Sequence, residues 1–524
     1  MASRCLEEER SGRQTRSSDI NTTPTKAAAA GAGELALVVL AASGPPQLAI
    51  LGHLELDDRM SLGSTCTSLR QASLAWFPEV AVKMKPGWID VASLAAWLER
   101  HQACLHVIVD RDDAEDDSEV AEVEWNNTLA ALPPALVTSL AVHPSFGLPS
   151  AISALTDLTR LELTYTKGKF PDEEIGCWPF STSAHHLRPL TRLRQLTCYN
   201  VDIGSNAGSL LSLPAHAGLQ ALTLNSCRLQ ATPQALPALT QLTSLSLAGN
   251  HSIITVPLAT LQRLQSLDLS YCSLTAVPEH FSALTALTRL DLSFNFELAG
   301  DWQHLQPLSL LQDLGLEDSN LTAVPQHLSA MTALTRLKLC NNEELVGGWQ
   351  HLLPLIQLHE LDLSSCRLKA VPQQLSGLTA LTQLDLAANN LASDWQHLLP
   401  LTQLCDLDLA LCSLTAIPEQ LSALPALTSL NLSCNFKLAG SWQHLQHLSQ
   451  LQNLGLRMCG LTAVPEQLSV LTALTALRLL GNEGLAGGWQ HLQPLSQLQY
   501  LDLSRCGLTA VPQQLSALTV LTFV

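Results

Sequence analysis

Leu361-Asp362-Leu363-Ser364-Ser365-Cys366-Arg367-Leu368-Lys369-Ala370-Val371-Pro372 is the stretch whose reading decides the fold. In an extended chain, successive side chains alternate between faces. Leu361 and Leu363 therefore share one face, with Asp362 and Ser364 on the other. Pro372 suits the first position of a helical turn, where no N–H is needed. The start of the stretch, Leu-x-Leu-x-x-(Asn/Cys), recurs at Leu222, Leu245, Leu267, Leu290, Leu314, Leu337, Leu361, Leu384, Leu407, Leu430, Leu454, Leu477 and Leu501, always 22 to 24 residues apart. Poorer copies begin at Leu140, Leu161 and Leu196, and Leu105-His106-Val107 reads as a candidate first rung.

The copies alternate between two kinds. One carries Cys227, Cys272, Cys366, Cys412, Cys459 or Cys506 five residues after its first leucine, with Ser319 as the one exception. The other carries Asn250, Asn295, Asn342, Asn389, Asn435 or Asn482 there. Tryptophans 302, 349, 395, 442 and 489 mark the resulting super-period of 46 or 47 residues. One copy cannot bury its own leucines, but stacked copies share one continuous core. The pattern resembles the leucine-rich repeat, from residue 222 to the C-terminus. The resemblance implies an α/β solenoid, a horseshoe with a parallel sheet on its concave side and short helical turns on the convex side. It also implies that the asparagines form a ladder bonded to loop backbone.

The chain has 524 residues, only 14% of them charged, and a formal net charge of −18. A surface so acidic argues against binding nucleic acid or an anionic membrane, which both select clustered Lys and Arg. No apolar run reaches the roughly 18–20 residues needed to cross a bilayer. Cysteines two repeats apart in the ladder lie about 10 Å from one another, too far for a disulfide. They read as buried thiols, which favours a reducing compartment. The expected location is the cytoplasm, with the nucleus and a ciliary axoneme as alternatives.

Residues 1–44 read as a disordered leader. A signal peptide would use Leu35–Leu40 as its apolar core, but that run is short and Glu34 interrupts it. Residues 45–85 read as a helical segment. Pro45-Pro46, Leu48, Ile50, Leu51, Leu54, Asp57, Leu62, Cys66 and Arg70 resemble the F-box motif. The usual Leu-Pro-x-Glu start is replaced by Gly44-Pro45-Pro46-Gln47, and the usual tryptophan before the arginine by Leu69. The resemblance implies that Leu48, Ile50, Leu51, Leu54, Leu62 and Cys66 bind the small adaptor of a cullin-RING ubiquitin ligase. The competing reading is a cap on the solenoid's open end. Residues 86–135 read as a capping helix opened by Asp90, followed by a solvated acidic loop. Asp110–Glu124 holds nine acidic residues. Degenerate repeats fill 136–221 and regular repeats 222–524. The array ends mid-pattern, with Val524 where the next strand's first leucine belongs. That suggests a truncated chain or an end covered by a partner.

No phosphate loop, nucleophile elbow, zinc-protease or dinucleotide motif is present. Nearly every polar repeat residue has an equivalent in other copies. The expectation is a binding protein with no catalytic residues, cofactor or metal. Histidines 304, 351, 397, 444 and 491 stand two repeats apart, too far to share a zinc ion. Each tryptophan is expected to pack on the convex side behind a capping residue such as Asp301, Asp394 or Ser441. The outward strand positions vary between copies and read as the partner-binding surface. Asp268, Asp291, Glu317, Asp362, Asp385, Asp408 and Asp502 form an acidic row suited to a basic partner, or else a solvated face left by copying. Tyr271, Phe294, Leu411 and Met458 add isolated apolar anchors, and Arg505 lies near the end of the row. Two functions follow: substrate receptor of a cullin-RING ligase, or a scaffold in signalling or on the cytoskeleton with no ubiquitin link.

Overall fold

In the computed structural model, every Leu-x-Leu start of the regular repeats lies in a strand of three to five residues. The structure describes residues 79–84, 90–101, 104–109, 118–142, 148–164, 178–179, 184–204, 211, 217–253 and 258–521. The chain divides into two units, residues 1–80 with 95–104, and residues 81–94 with 105–524. Of the first, the description covers chiefly the C-terminal part of the helix Val91–His101, where Leu98 is buried. The second holds the solenoid.

Its sheet has 18 described strands. Along the regular array each strand pairs in parallel with the next, so that Leu267, Leu290, Leu314, Leu337, Leu361 and Leu384 stand directly beside one another. This register is the cheapest one available. A slip of one residue would turn every leucine into water and every aspartate into the core. Both leucines of each pair are buried, each contributing roughly 1.5–3 kcal/mol. The second layer is a series of short 3-10 turns. Gln373–Gly377, for example, buries Leu375, and Trp395–Leu398 buries Leu398.

The alternation of Asn and Cys has a hydrogen-bonding cause. The Asn342 side-chain oxygen accepts the Ser319 and Leu321 amides at 3.1 and 2.9 Å. Its side-chain nitrogen donates to the Leu316 and Leu339 carbonyls at 2.9 and 2.8 Å. One asparagine thus satisfies the corner of its own repeat and that of the repeat before. The preceding copy needs only a small donor, and Cys366 Sγ supplies it to the Leu339 carbonyl at 3.2 Å. Ser319 Oγ does the same toward Leu292 at 3.3 Å, which explains the one exception. Burial pushes the Cys272, Cys366, Cys412 and Cys459 thiols up to about 12.

Several expectations need correction. Pro278, Pro325, Pro372, Pro418, Pro465 and Pro512 sit one residue before their turns, not at the first helical position. Their carbonyls open the turn, as in Phe281 N–H to Pro278 at 3.0 Å. Asp301, Asp394 and Ser441 make no side-chain cap. Each is in the left-handed region, with φ of 57°, 67° and 66°, and not in the extended conformation of a capping residue. The stretch read as an acidic loop is helical from Ser118, within the helix Ser118–Ala130.

Leu105-His106-Val107 does lie in a sheet strand, Cys104–Val109, but the strand Glu79–Met84 precedes it in the sheet. The helix opened by Asp90 is present, and Asp90 Oδ1 accepts the Ser93 amide at 3.1 Å. The residues resembling an F-box, 45–77, lie outside the described residues, as do the leader and Val524.

Candidate protein-docking surface

The residue between the two leucines of each strand points away from the core. Strand register orders these residues in one line: Asp268, Asp291, Gly315, Lys338, Asp362, Asp385, Asp408, Asn431, Gly455, Arg478, Asp502. The acidic row read from the sequence is therefore broken. Asp268 and Asp291 form one block, and Asp362, Asp385 and Asp408 form a second block of three adjacent carboxylates. Glu317 lies two residues past Gly315, beyond the end of the strand Asp313–Gly315. It is half-buried and accepts a bond from Asn341 Nδ2 at 3.2 Å. Burial first, then the nearby Asp362, raises its pKa.

The aspartates also have a structural task. One oxygen of each accepts the amide two residues on: Ser293 on Asp291 at 2.9 Å, Ser364 on Asp362 at 2.9 Å, Ala387 on Asp385 at 2.8 Å and Ala410 on Asp408 at 2.8 Å. These bonds hold the turn after the strand. Asn431 performs the same task, accepting the Ser433 amide at 3.1 Å. Where the position is glycine, a serine of the preceding repeat substitutes. The Glu317 amide donates to Ser293 Oγ at 3.1 Å and the Arg457 amide to Ser433 Oγ at 3.2 Å. A Cβ on Gly315 would stand 2.5 Å from Asp291 Oδ1, so the glycine is what admits this arrangement. The row is thus not an idle copy: its aspartates hold the turn after each strand.

The three-carboxylate block lines a depression of about 270 Å³, with Arg336 and Lys338 at one edge and Asp406 at the other. Asp385, at its centre, has its carboxyl pushed up to about 8 by burial, then by Asp408 and Asp362. In the unfolded chain an aspartate titrates near 3.9. The folded state thus holds a proton that the unfolded state has released. The contribution to stability is full below about pH 4 and is lost as pH rises through about 8. Asp385→Asn keeps the acceptor for Ala387 and removes the titration. The variant is expected to melt above the wild type near pH 9 and together with it near pH 4, by about 2–4 °C for each kcal/mol relieved. An equal difference at both pH values would show that Asp385 is not the titrating group.

The apolar anchors are not all isolated. Tyr271 and Phe294 stack with ring centroids 4.1 Å apart and planes 8° from parallel. Leu411 and Met458 stand apart and half-buried. All four occupy the position before the ladder residue, which is left-handed in every regular copy: φ is 71° at Gly249, 54° at Tyr271, 59° at Phe294, 58° at Asn341 and 56° at Leu411. The corner of the repeat imposes this. A large side chain there costs about 1–2 kcal/mol relative to glycine. Arg505 shares the position and is exposed.

On the convex side, His304, His351, His397, His444 and His491 sit in alternate 3-10 turns. His280 and His327 lie in the intervening turns. Among the described residues no group of three or more His, Cys, Asp or Glu is arranged to hold a metal ion, and no helix is long and apolar enough to cross a membrane.

Family models agree with this geometry. Residues 356–400 match "Leucine Rich repeats (2 copies)", and residues 263–284 and 497–518 match "Leucine Rich Repeat". The chain carries leucine-rich repeats. Its horseshoe is similar to a leucine-rich-repeat protein of Leptospira interrogans, with a TM-score of 0.58 and 24% identity over 75% of this chain and 96% of that one. It is also similar to the TLR13–ssRNA13 complex, with a TM-score of 0.55 and 20% identity over 86% of this chain and 74% of that one. At these identities the leucine-rich-repeat fold alone is shared. No curated protein sequence matches the chain.

Proposed function

We propose that this leucine-rich-repeat protein holds a basic segment of another protein on its concave sheet. We further propose that it presents that protein, through residues 45–77, to a cullin-RING ubiquitin ligase as an F-box-type substrate receptor. The observation that carries the first half is the block of Asp362, Asp385 and Asp408, three carboxylates in register on adjacent strands at one depression. The charges of Asp362 and Asp408 help keep Asp385 between them protonated, and a cationic segment lying across the block is attracted to both and favours ionisation of the third. The second half is supported by the F-box resemblance of Leu48, Ile50, Leu51, Leu54, Leu62 and Cys66. On this reading the recruited conjugating enzyme supplies the chemistry and this chain supplies position. The buried thiols suit a reducing compartment, the cytoplasm or nucleus.

The test is affinity purification of the tagged full chain from its native cell, beside the variant carrying Leu51→Asp and Leu54→Asp. The wild type is expected to bring down the ligase adaptor together with a basic partner. The variant is expected to lose the adaptor and keep the partner. A wild type that retains the partner without any adaptor would make the protein a scaffold with no ligase link.

A further inference from the structure

Arg289, Arg336 and Arg367 each meet a carboxylate of an adjacent copy: Asp313 for the first two, Glu343 and Glu344 for the third. Arg478 and Arg505, toward the C-terminal end of the sheet, are exposed and make no ion pair among the described residues. The guanidinium carbon of Arg478 lies 5.6 Å from the Tyr500 ring centroid, a contact that supports the side chain and supplies no counterion. Asp502 stands beside Arg478 in register, but its Oδ1 accepts the Ser504 amide at 3.0 Å and neither arginine lies within ion-pair distance of it. Arg457, half-buried two residues past the strand Asn453–Gly455, adds a third cation to the same end. The row of outward residues runs from Asp408 through Asn431 and Gly455, both uncharged, to Arg478. Three strand spacings separate Asp408 from Arg478, about 14 Å. The concave face is thus polarised along its length, with the carboxylate block in the middle and three arginines against one aspartate at this end.

We infer that Arg478 and Arg505 receive acidic residues of the same partner segment whose basic run lies on Asp362, Asp385 and Asp408. The segment recognised is then charge-segregated, its cationic and anionic runs separated by about 14 Å. Guanidinium suits this task because its planar fork matches a carboxylate. A nucleic acid or an anionic bilayer would bring its charge to the carboxylate block as well, and a chain of net charge −18 repels an extended polyanion. A short acidic run on a segment already held by its basic residues meets the arginines instead. The inference deepens the reading of the concave face as a surface for basic segments and rests on it.

The experiment uses the full chain and two capped, fluorescent peptides, followed by anisotropy at fixed ionic strength. Both carry a run of lysines and a Gly/Ser spacer of about four residues, which spans about 14 Å when extended. One then ends in a run of glutamates and the other in an equal run of serines. The wild type is expected to bind the glutamate-ended peptide about three- to tenfold more tightly, although that peptide carries less net positive charge. In the double variant Arg478→Asn with Arg505→Ser this preference is lost. Asn431 occupies the position equivalent to Arg478, and Ser365 the left-handed position equivalent to Arg505, so the fold accepts both changes. A wild type that binds the serine-ended peptide as tightly or more tightly, or a preference that survives in the double variant, would overturn the arginine site and leave docking of basic segments in place. Failure of both peptides to bind would overturn the reading of the concave face itself, and the arginine site with it.

Discussion

Asn342→Ala is expected to cost about 2–6 kcal/mol and to open the solenoid at its own corner and the one before. The change orphans the amides of Ser319 and Leu321, both bonded to the Asn342 oxygen in a buried corner. Each buried amide left unpaired costs about 1–3 kcal/mol. The Leu316 and Leu339 carbonyls lose their donor as well. Repeat arrays are stabilised by contacts between neighbours, so the damage is local before it is global. Hydrogen exchange is therefore the sharper readout. Exchange at Ser319 and Leu321 is expected to accelerate strongly, with the strand at Leu477 unchanged. Asn342→Asp keeps the acceptor but sets a buried carboxylate oxygen against the Leu316 and Leu339 carbonyls, so at neutral pH it is expected to be at least as damaging as alanine. An alanine variant with wild-type exchange at Ser319 would show that the ladder bonds are not what holds the corner.

The second large effect is on binding. Changing Asp362, Asp385 and Asp408 together to asparagine is expected to weaken binding of an all-lysine decapeptide at neutral pH roughly thirtyfold and leave the fold intact. Asp385 is mostly protonated at neutral pH, so the charges lost are those of Asp362 and Asp408, each worth roughly 1 kcal/mol toward an opposite charge, together about thirtyfold. The fold is spared because asparagine keeps the oxygen that takes the amide two residues on, as Asn431 does naturally. The wild-type affinity is expected to fall with salt, and the triple variant to lose most of that dependence. Unchanged affinity in a folded triple variant would place the basic segment elsewhere.

The repeat and its register were legible in the sequence because the cause is periodic. Leucines at fixed spacing leave a single way to stack, and Leu222 through Leu501 fall where the alternation puts them. The alternating Asn and Cys were legible as a ladder, though not the reason that one asparagine suffices for two corners. That depends on which backbone groups two neighbouring copies bring to one place. The acidic row was legible only as a set. Its division into two blocks turns on Gly315 and Lys338, whose side chains matter through register rather than composition. The aromatic stack was missed because Tyr271 and Phe294 lie far apart in sequence, and their left-handed backbone is imposed by the corner, not by their own preferences. The caps expected at Asp301, Asp394 and Ser441 failed for a similar reason. A residue type that favours capping was taken as sufficient, while the tight approach to a 3-10 turn demanded a left-handed residue instead.

The claim on which the functional account rests is that partners dock on the outward residues of the sheet. Carbodiimide labelling of carboxylates, with and without the partner recovered from the native cell, tests it most directly. The account predicts that Asp362 and Asp408 become shielded in the complex, while the exposed Glu419 and Glu466 on the convex turns label as before. Shielding of Glu419 and Glu466 with full labelling of Asp362 and Asp408 would contradict it.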